Sequence, residues 1–253
     1  MVVGPVGQGK STTLSTMINM INKDRAAHIV TIEDPIEFIY EPDKSIIDQR
    51  EVGDDTTDFS VALKSVFRED VNVIFIGEMR SPETIAAAVT AAETGHLVFS
   101  TIHTNDAAGS ITRLVDMGVE PFLVSSSLVA AMAQRLVRRL CPSCKEAYKP
   151  NPQELQELGA NPELMNKKTI YRAKGCSECA KTGYQGRMAI YEIMPIDEKI
   201  RGMILKNTDS STIKKAATDA GVKTLREDGA NKIMQGLTTI EEVLRVTQDD
   251  MLV

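Results

Sequence analysis

The sequence predicts an α/β fold with a cysteine-bearing insertion and a helical C-terminal subdomain. Three observations carry that expectation. A glycine-rich stretch, Gly4-Pro5-Val6-Gly7-Gln8-Gly9-Lys10-Ser11, falls between a short apolar run and a helix-like one. Strand-like and helix-like runs then alternate over the first 140 residues, as in an α/β sheet. Composition shifts at Cys141, and from there to about Gly183 the chain is polar and punctuated by Pro and Gly. These features divide the 253 residues into a core (1–140), an insertion (141–183) and a returning strand with a helical tail (184–253). A chain of this length holds one large domain or a core with appendages.

Met1-Val2-Val3 reads as the end of a strand, and Ser11 to Ile21 as a helix. The stretch between them matches G-x-x-x-x-G-K-[ST] in full. Glycine lets a backbone approach a polyphosphate closely, a lysine places charge over the terminal phosphates, and a hydroxyl holds Mg²⁺. Gly4, Pro5, Val6, Gly7, Gln8, Gly9, Lys10, Ser11 and Thr12 are therefore the expected nucleotide-binding residues, with Ser11 as a Mg²⁺ ligand. The loop would lie at a helix N-terminus, where phosphate is favoured. Such a loop needs a whole strand before it, and three residues precede Gly4. The chain is thus expected to be the C-terminal portion of something longer.

The next strand, Ala27–Ile32, ends in Glu33-Asp34-Pro35. Phe59, Ala62, Leu63, Val66 and Phe67 recur at helical spacing ahead of a strand at Val71–Ile76. Ser81 and Pro82 suit the N-cap and first position of another helix. His96–Thr101 reads as a strand, and His103-Thr104-Asn105-Asp106 leads into a helix. Glu120 to Arg139 reads as helical, ending in a basic cluster of Arg135, Arg138 and Arg139. A strand is expected at Met188–Ile193. In the tail, Leu225, Gly229 and Ile233 share one helical face, and Thr239 with Glu242 forms a capping box.

Nucleotide hydrolysis needs Mg²⁺, a residue that orients or deprotonates water, and a sensor of the γ-phosphate. The strand ending in Gly77-Glu78-Met79-Arg80 delivers a carboxylate at its C-terminal end, so Glu78 is the candidate for activating water, and Gly77 before it leaves room for phosphate or water. Glu33, Asp34 and Glu37 form a second acidic site suited to Mg²⁺, since clustered carboxylates need a compensating cation. His103 stands at the edge where α/β ligand sites gather and suits the γ-phosphate; His96 reads as structural.

Cys141-x-x-Cys144 and Cys176-x-x-Cys179 supply four thiolates in the pattern of a tetrahedral zinc site. Four cysteines leave no open coordination position, so the zinc is expected to be structural. The apolar residues between the pairs are few: Tyr148, Leu155, Leu158, Leu164, Met165, Ile170 and Tyr171. Ordering such a segment costs about 1–2 kcal/mol per residue in backbone entropy. A structural zinc supplies roughly 10–16 kcal/mol, enough to matter but not enough without packing.

Lys+Arg number 29 against 35 Asp+Glu, which argues against a broad nucleic-acid-coating surface. Apolar runs such as Val73–Ile76 and Leu123–Ala133 are too short or too broken to span a membrane, and no signal peptide is read before the loop. A nucleic-acid translocase would show a basic stripe with interleaved aromatics. Lys145, Lys149, Lys167, Lys168 and Arg172 with Tyr148 and Tyr171 make a weak match. A nucleotide-regulated scaffold is the non-enzymatic alternative, and intact Lys10 and Glu78 speak against it.

Taken in order, these signatures resemble those of the secretion and type IV pilus ATPases. Gly4–Ser11 matches their Walker A motif, and Val30-Thr31-Ile32-Glu33-Asp34-Pro35-Ile36-Glu37-Phe38 resembles their aspartate box. Ile76-Gly77-Glu78-Met79-Arg80 is similar to their Walker B, with Glu78 at the catalytic position. Thr94–Thr104 resembles their histidine box, and Gln49-Arg50-Glu51-Val52-Gly53 is another stretch typical of them. The tetracysteine module favours the assembly branch, although Thr90–His96 is similar to the retraction branch. Three departures stand out: Ser81-Pro82 where an aspartate usually follows the arginine, Val71-Asn72 in place of Pro-Asp, and no counterpart of the family's N-terminal domains.

The resemblance implies a RecA-like core that hydrolyses ATP with Mg²⁺. Lys10, Glu33, Glu78 and His103 would be the catalytic group, and Cys141, Cys144, Cys176 and Cys179 would hold zinc. It implies a homohexamer at full length, cytoplasmic and peripheral on the inner-membrane face. The ring would act on a membrane platform protein, with a cytoplasmic adaptor, to build a pilus or secretion pseudopilus; pilus retraction is the alternative. The family's N-terminal domains supply arginines to a neighbouring site, worth about 10³–10⁵ in rate elsewhere in phosphoryl transfer. This chain alone is therefore expected to bind ATP but turn it over slowly.

Overall fold

The computed structural model describes residues 1–159 and 169–247. Leu164, Met165, Lys167 and Lys168 lie outside the described residues. The chain divides into two compact units, Met1–Met132 with Met194–Ala217, and Ala133–Ile193 with Thr218–Val253.

The first unit is built on a parallel sheet. Its strands are β1 (Val2–Val3), β2 (His28–Glu33), β3 (Ile46–Glu51), β4 (Val73–Ile76) and β5 (Leu97–Ile102), in the order β3-β2-β4-β5-β1. Strands covered on both faces read as continuous apolar runs. β4 (Val-Ile-Phe-Ile) is buried at every position, and β2 from Ile29 onward. The helices are α1 (Lys10–Asp24), α2 (Phe59–Val66), α3 (Pro82–Glu93), α4 (Ala107–Asp116) and α5 (Pro121–Ser127). Asp58, Ser81 and Asp106 each accept a backbone N–H at the start of α2, α3 and α4. Register then fixes the site. Val3 pairs with Ile102, Ile32 with Ile76, and Ile76 with Ser100. Gly4, Glu33, Glu78 and His103 therefore emerge at one edge of the sheet.

The expected helix from Glu120 to Arg139 is corrected. Only Pro121–Ser127 is helical; Leu128 is extended, and β6 runs from Ala130 to Leu140. The Ala, Met, Gln and Leu of this stretch are good helix formers, but β1 needs a ladder partner. Met132 N–H donates to the Met1 carbonyl at 2.9 Å, and the Met1 ammonium donates to Ala130 O at 3.0 Å. The basic cluster dissolves as well, because Arg135 is buried while Arg138 and Arg139 are exposed. Returning to this unit, α7 (Glu198–Leu205) bonds α5 from Arg201 to the Ser125 carbonyl. Lys214 of α8 (Ser210–Asp219) reaches Asp106, the α4 cap, at 3.0 Å.

The second unit carries most of β6, with β9 (Tyr184–Pro195) beside it, and a small antiparallel pair, β7 (Glu146–Tyr148) and β8 (Ile170–Arg172). α6 (Pro152–Leu158) and α9 (Leu225–Met234) each start in a full capping box, Asn151/Glu154 and Thr224/Glu227. Leu225, Gly229 and Ile233 do share a buried face. α10 (Ile240–Val246) is capped by Thr239, yet the reciprocal half of the expected box is missing. Glu242 turns instead to Arg138, accepting its N–H at 2.8 Å and Nη2 at 2.7 Å, and takes Arg245 Nε and Nη2 at 2.9 Å each.

That carboxylate is 1% exposed. Burial pushes its pKa up, but hydrogen bonds from Arg245, Arg138 and the Arg138 N–H overcome this and bring it down to about 2. A carboxyl depressed on folding contributes stability above its unfolded pKa and loses it as pH falls through the folded value. The Glu242 contribution should therefore fade between about pH 4.5 and pH 2. Glu242→Gln should cost about 2–4 kcal/mol at pH 7. Urea melts at pH 7 and pH 3 should show the gap from wild type shrinking at the lower pH.

Candidate nucleotide site and cysteine centre

Beyond β1 the chain turns through Gly7 (φ 77°) and Gly9 (φ 76°), left-handed positions that favour glycine. Gly9 is the N-cap of α1 and offers no side chain, so the helix start stays open. Pro5, Val6 and Gly7 are exposed at the rim, Gln8 is half-buried, and Thr12 is exposed on the first turn of α1. Lys10 is buried, and its Nζ donates to Gly4 O at 2.8 Å and Pro5 O at 2.9 Å. Ser11 Oγ donates to Glu37 Oε1 at 2.9 Å.

β4 delivers Glu78 to the same edge. Glu78 Oε1 lies 2.8 Å from His103 Nε2. His103 Nδ1 is 3.0 Å from Gly4 O and 3.5 Å from Lys10 Nζ. Nδ1 faces a carbonyl oxygen and the Lys10 ammonium, and Nε2 faces a carboxylate oxygen. The structure thus joins three residues the sequence singled out, Lys10, His103 and Glu78, in one chain of contacts. The segment is pinned by Met79 N–H to Thr101 O at 3.0 Å and Thr101 Oγ1 to Gly77 O at 2.7 Å. The room beside Gly77 differs from expectation. A Cβ there would meet Glu33 Cα at 3.4 Å and Ile32 O at 3.5 Å, so that space faces the β2 backbone rather than the phosphate loop.

The acidic trio takes separate partners. Glu33 is buried, which raises its pKa, and accepts from Thr31 Oγ1 at 2.8 Å. Asp34 Oδ2 is 3.8 Å from Arg80 Nη1. Glu37, not Glu33, meets Ser11. His96 stays apart as a structural residue, with Nδ1 2.9 Å from Ala91 O and its ring edge-on to Phe67.

Two roles were not read from the sequence, although the stretches that hold them were singled out. Gln49 and Glu51 of β3 brace the segment carrying Glu37: Gln49 bonds Phe38 O and Tyr40 N–H, and Glu51 bonds Ile36 N–H. Their spacing of two, which puts both on one strand face, was the available signal. The other is Arg80, whose Nε and Nη2 both lie 2.8 Å from Glu78 Oε2.

In the second unit the four Sγ atoms lie within 4.8 Å of one another, the one such metal-compatible group among the described residues. Cys141–Cys176 is 4.0 Å, Cys144–Cys179 3.8 Å and Cys176–Cys179 3.8 Å. Tetrahedral coordination at a Zn–S distance of about 2.3 Å implies sulfur separations of roughly 3.8 Å, so the donors fit. Cys179 Sγ accepts the N–H groups of Cys176 and Gly183 at 3.2 Å each. These donors, Cys176 first, bring its pKa down to about 6. Gly183 (φ 78°) is required there, because a Cβ would lie 2.6 Å from Ala173 Cβ.

A phosphate-type loop at the C-terminal edge of a parallel α/β sheet, with a carboxylate from the next-but-one strand facing it, is the architecture of the P-loop NTPase fold. The chain belongs to the Type II/IV secretion system protein family, whose profile matches residues 1–245. It is 46% identical to Type II secretion system protein E of Pseudomonas aeruginosa over 252 residues, 99% of this chain and 48% of that protein. It is 44% identical to Type IV pilus assembly ATPase PilB of Thermus thermophilus over 249 residues, 98% of this chain and 27% of that protein. Among solved structures, the pilus retraction motor PilT with bound ADP superposes with a TM-score of 0.75 at 33% identity, covering 100% of this chain and 62% of that one. The chain spans about half the length, or less, of these curated relatives. Among the described residues, no helix is long and apolar enough to cross a membrane.

Proposed function

We propose that this chain is the ATP-hydrolysing portion of a motor that assembles a type IV pilus or a type II secretion pseudopilus. The contact chain from Lys10 through His103 to Glu78 is the observation that carries the reading. Lys10, held ready by loop carbonyls, exchanges those contacts for β- and γ-phosphate oxygens. Glu78 takes the proton of the attacking water as its oxygen bonds to the γ-phosphorus and the bond to the β-bridging oxygen breaks, releasing ADP and phosphate. His103, already touching Lys10 and Glu78, reports whether a γ-phosphate is present. Mg²⁺ neutralises phosphate charge when bound, and Ser11 with Glu37 would hold it.

Assembly is favoured over retraction by the four cysteines and by relatives at 44–46% identity named for assembly or secretion. The motor would work as a homohexamer with an inner-membrane platform protein and a cytoplasmic adaptor, on the cytoplasmic face. The test is ATP binding by a fluorescent analogue, followed by single-turnover phosphate release with protein in excess. Saturable, Mg²⁺-dependent binding and release of one phosphate per ATP are expected. No binding at millimolar ATP would overturn the proposal.

A further inference from the structure

We propose that Arg80 is a positioning residue that selects which oxygen of Glu78 works as the base, an inference that rests on the ATPase reading above. A carboxylate oxygen has two lone-pair sites. Arg80 Nε–H donates to Oε2 at 2.8 Å and Nη2 lies 2.8 Å from the same oxygen, so the guanidinium covers Oε2. Oε1 is the oxygen turned to His103, whose Nε2 lies 2.8 Å from it. That oxygen is the one the contact chain links to the phosphate loop, because His103 also touches Gly4 O and Lys10 Nζ. A water activated by Glu78 must therefore bind at Oε1.

The backbone supports the arrangement independently. Met79 is buried and its N–H is fixed to Thr101 O, so the segment is anchored between the two residues. Glu78 and Arg80 flank that anchor and meet outside the core. Arg80 is 64% exposed, and Asp34 Oδ2 lies 3.8 Å away on its other face, so the guanidinium is also steadied from outside the pair. Two guanidinium nitrogens against one oxygen are a contact that arginine supplies and lysine does not.

Arg80→Ala should slow single-turnover hydrolysis by about 10–100-fold while nucleotide affinity stays within about twofold, since misplacing a reacting group by an ångström costs on this order. Arg80→Lys should recover only part of the rate. Millimolar guanidinium should restore part of the Arg80→Ala rate and leave wild type unchanged, which a merely structural defect would not show. Glu78→Gln run alongside separates the two ideas. If it hydrolyses at the wild-type rate, the ATPase assignment of Glu78 fails. If it is inactive and Arg80→Ala is not slowed, the role given to Arg80 is overturned. It is equally overturned if Arg80→Ala loses nucleotide affinity in step with rate, or if guanidinium leaves its rate unchanged.

Discussion

Glu78→Gln is expected to bind ATP as tightly as wild type and to hydrolyse it at least about 10²–10⁴-fold more slowly, the range a general base contributes. Gln is nearly isosteric with Glu but cannot take a proton from water. Its partners amplify the loss. With the amide oxygen facing His103 Nε2, the amide NH₂ faces the Arg80 guanidinium, two donors against one another, in place of the 2.8 Å bond that Oε2 now accepts from Nε. The amide therefore loses both its basicity and its hold. Rapid-mix phosphate release would measure the rate, and co-purified or filter-retained ATP would show the trapped nucleotide. Retained turnover would remove Glu78 from the mechanism. Loss of binding together with turnover would show that the carboxylate supports the loop rather than the chemistry.

Removal of metal should have the largest effect on stability. One zinc per chain is expected by metal analysis. Stripping it, or replacing Cys176 with Ser, should unfold the segment around the cysteines and expose it to protease. β7 and β8 are three residues each, and among the described residues of this insertion the buried apolar side chains are few, with Leu155, Leu158 and Ile170 the principal ones. Fully burying such a side chain contributes about 1.5–3 kcal/mol. A structural zinc contributes about 10–16 kcal/mol, so it outweighs them together. An unchanged protease pattern and melting curve in the metal-free chain would refute a structural zinc.

The site was legible in sequence where one short motif carries the chemistry. Gly4–Ser11 announces phosphate binding because glycine, lysine and serine act through neighbouring backbone, and the paired C-x-x-C units announce a metal because two turns present four thiolates. Glu78 and His103 were legible because an apolar strand ends just before each. The helix predicted over Glu120–Arg139 failed because propensity describes an isolated segment, whereas the open edge of β1 recruits these residues as a strand. The acidic cluster was legible as Glu33, Asp34 and Glu37, but not that Glu37 is the one to meet Ser11, since β3 props the loop after β2 through Gln49 and Glu51.

By itself, then, the sequence determined the phosphate loop, the cysteine set and the elements of the α/β unit apart from β3 and the end of α5, all written within a few consecutive residues. Only the tertiary structure decided which side chains meet: Ser11 with Glu37, 26 residues apart, His103 with Gly4, 99 apart, and Arg80 with one chosen oxygen of Glu78. The reason is geometric. Parallel pairing brings the carboxyl ends of distant strands to a common edge, and the partner each polar atom finds there depends on register and backbone direction, which no local pattern records.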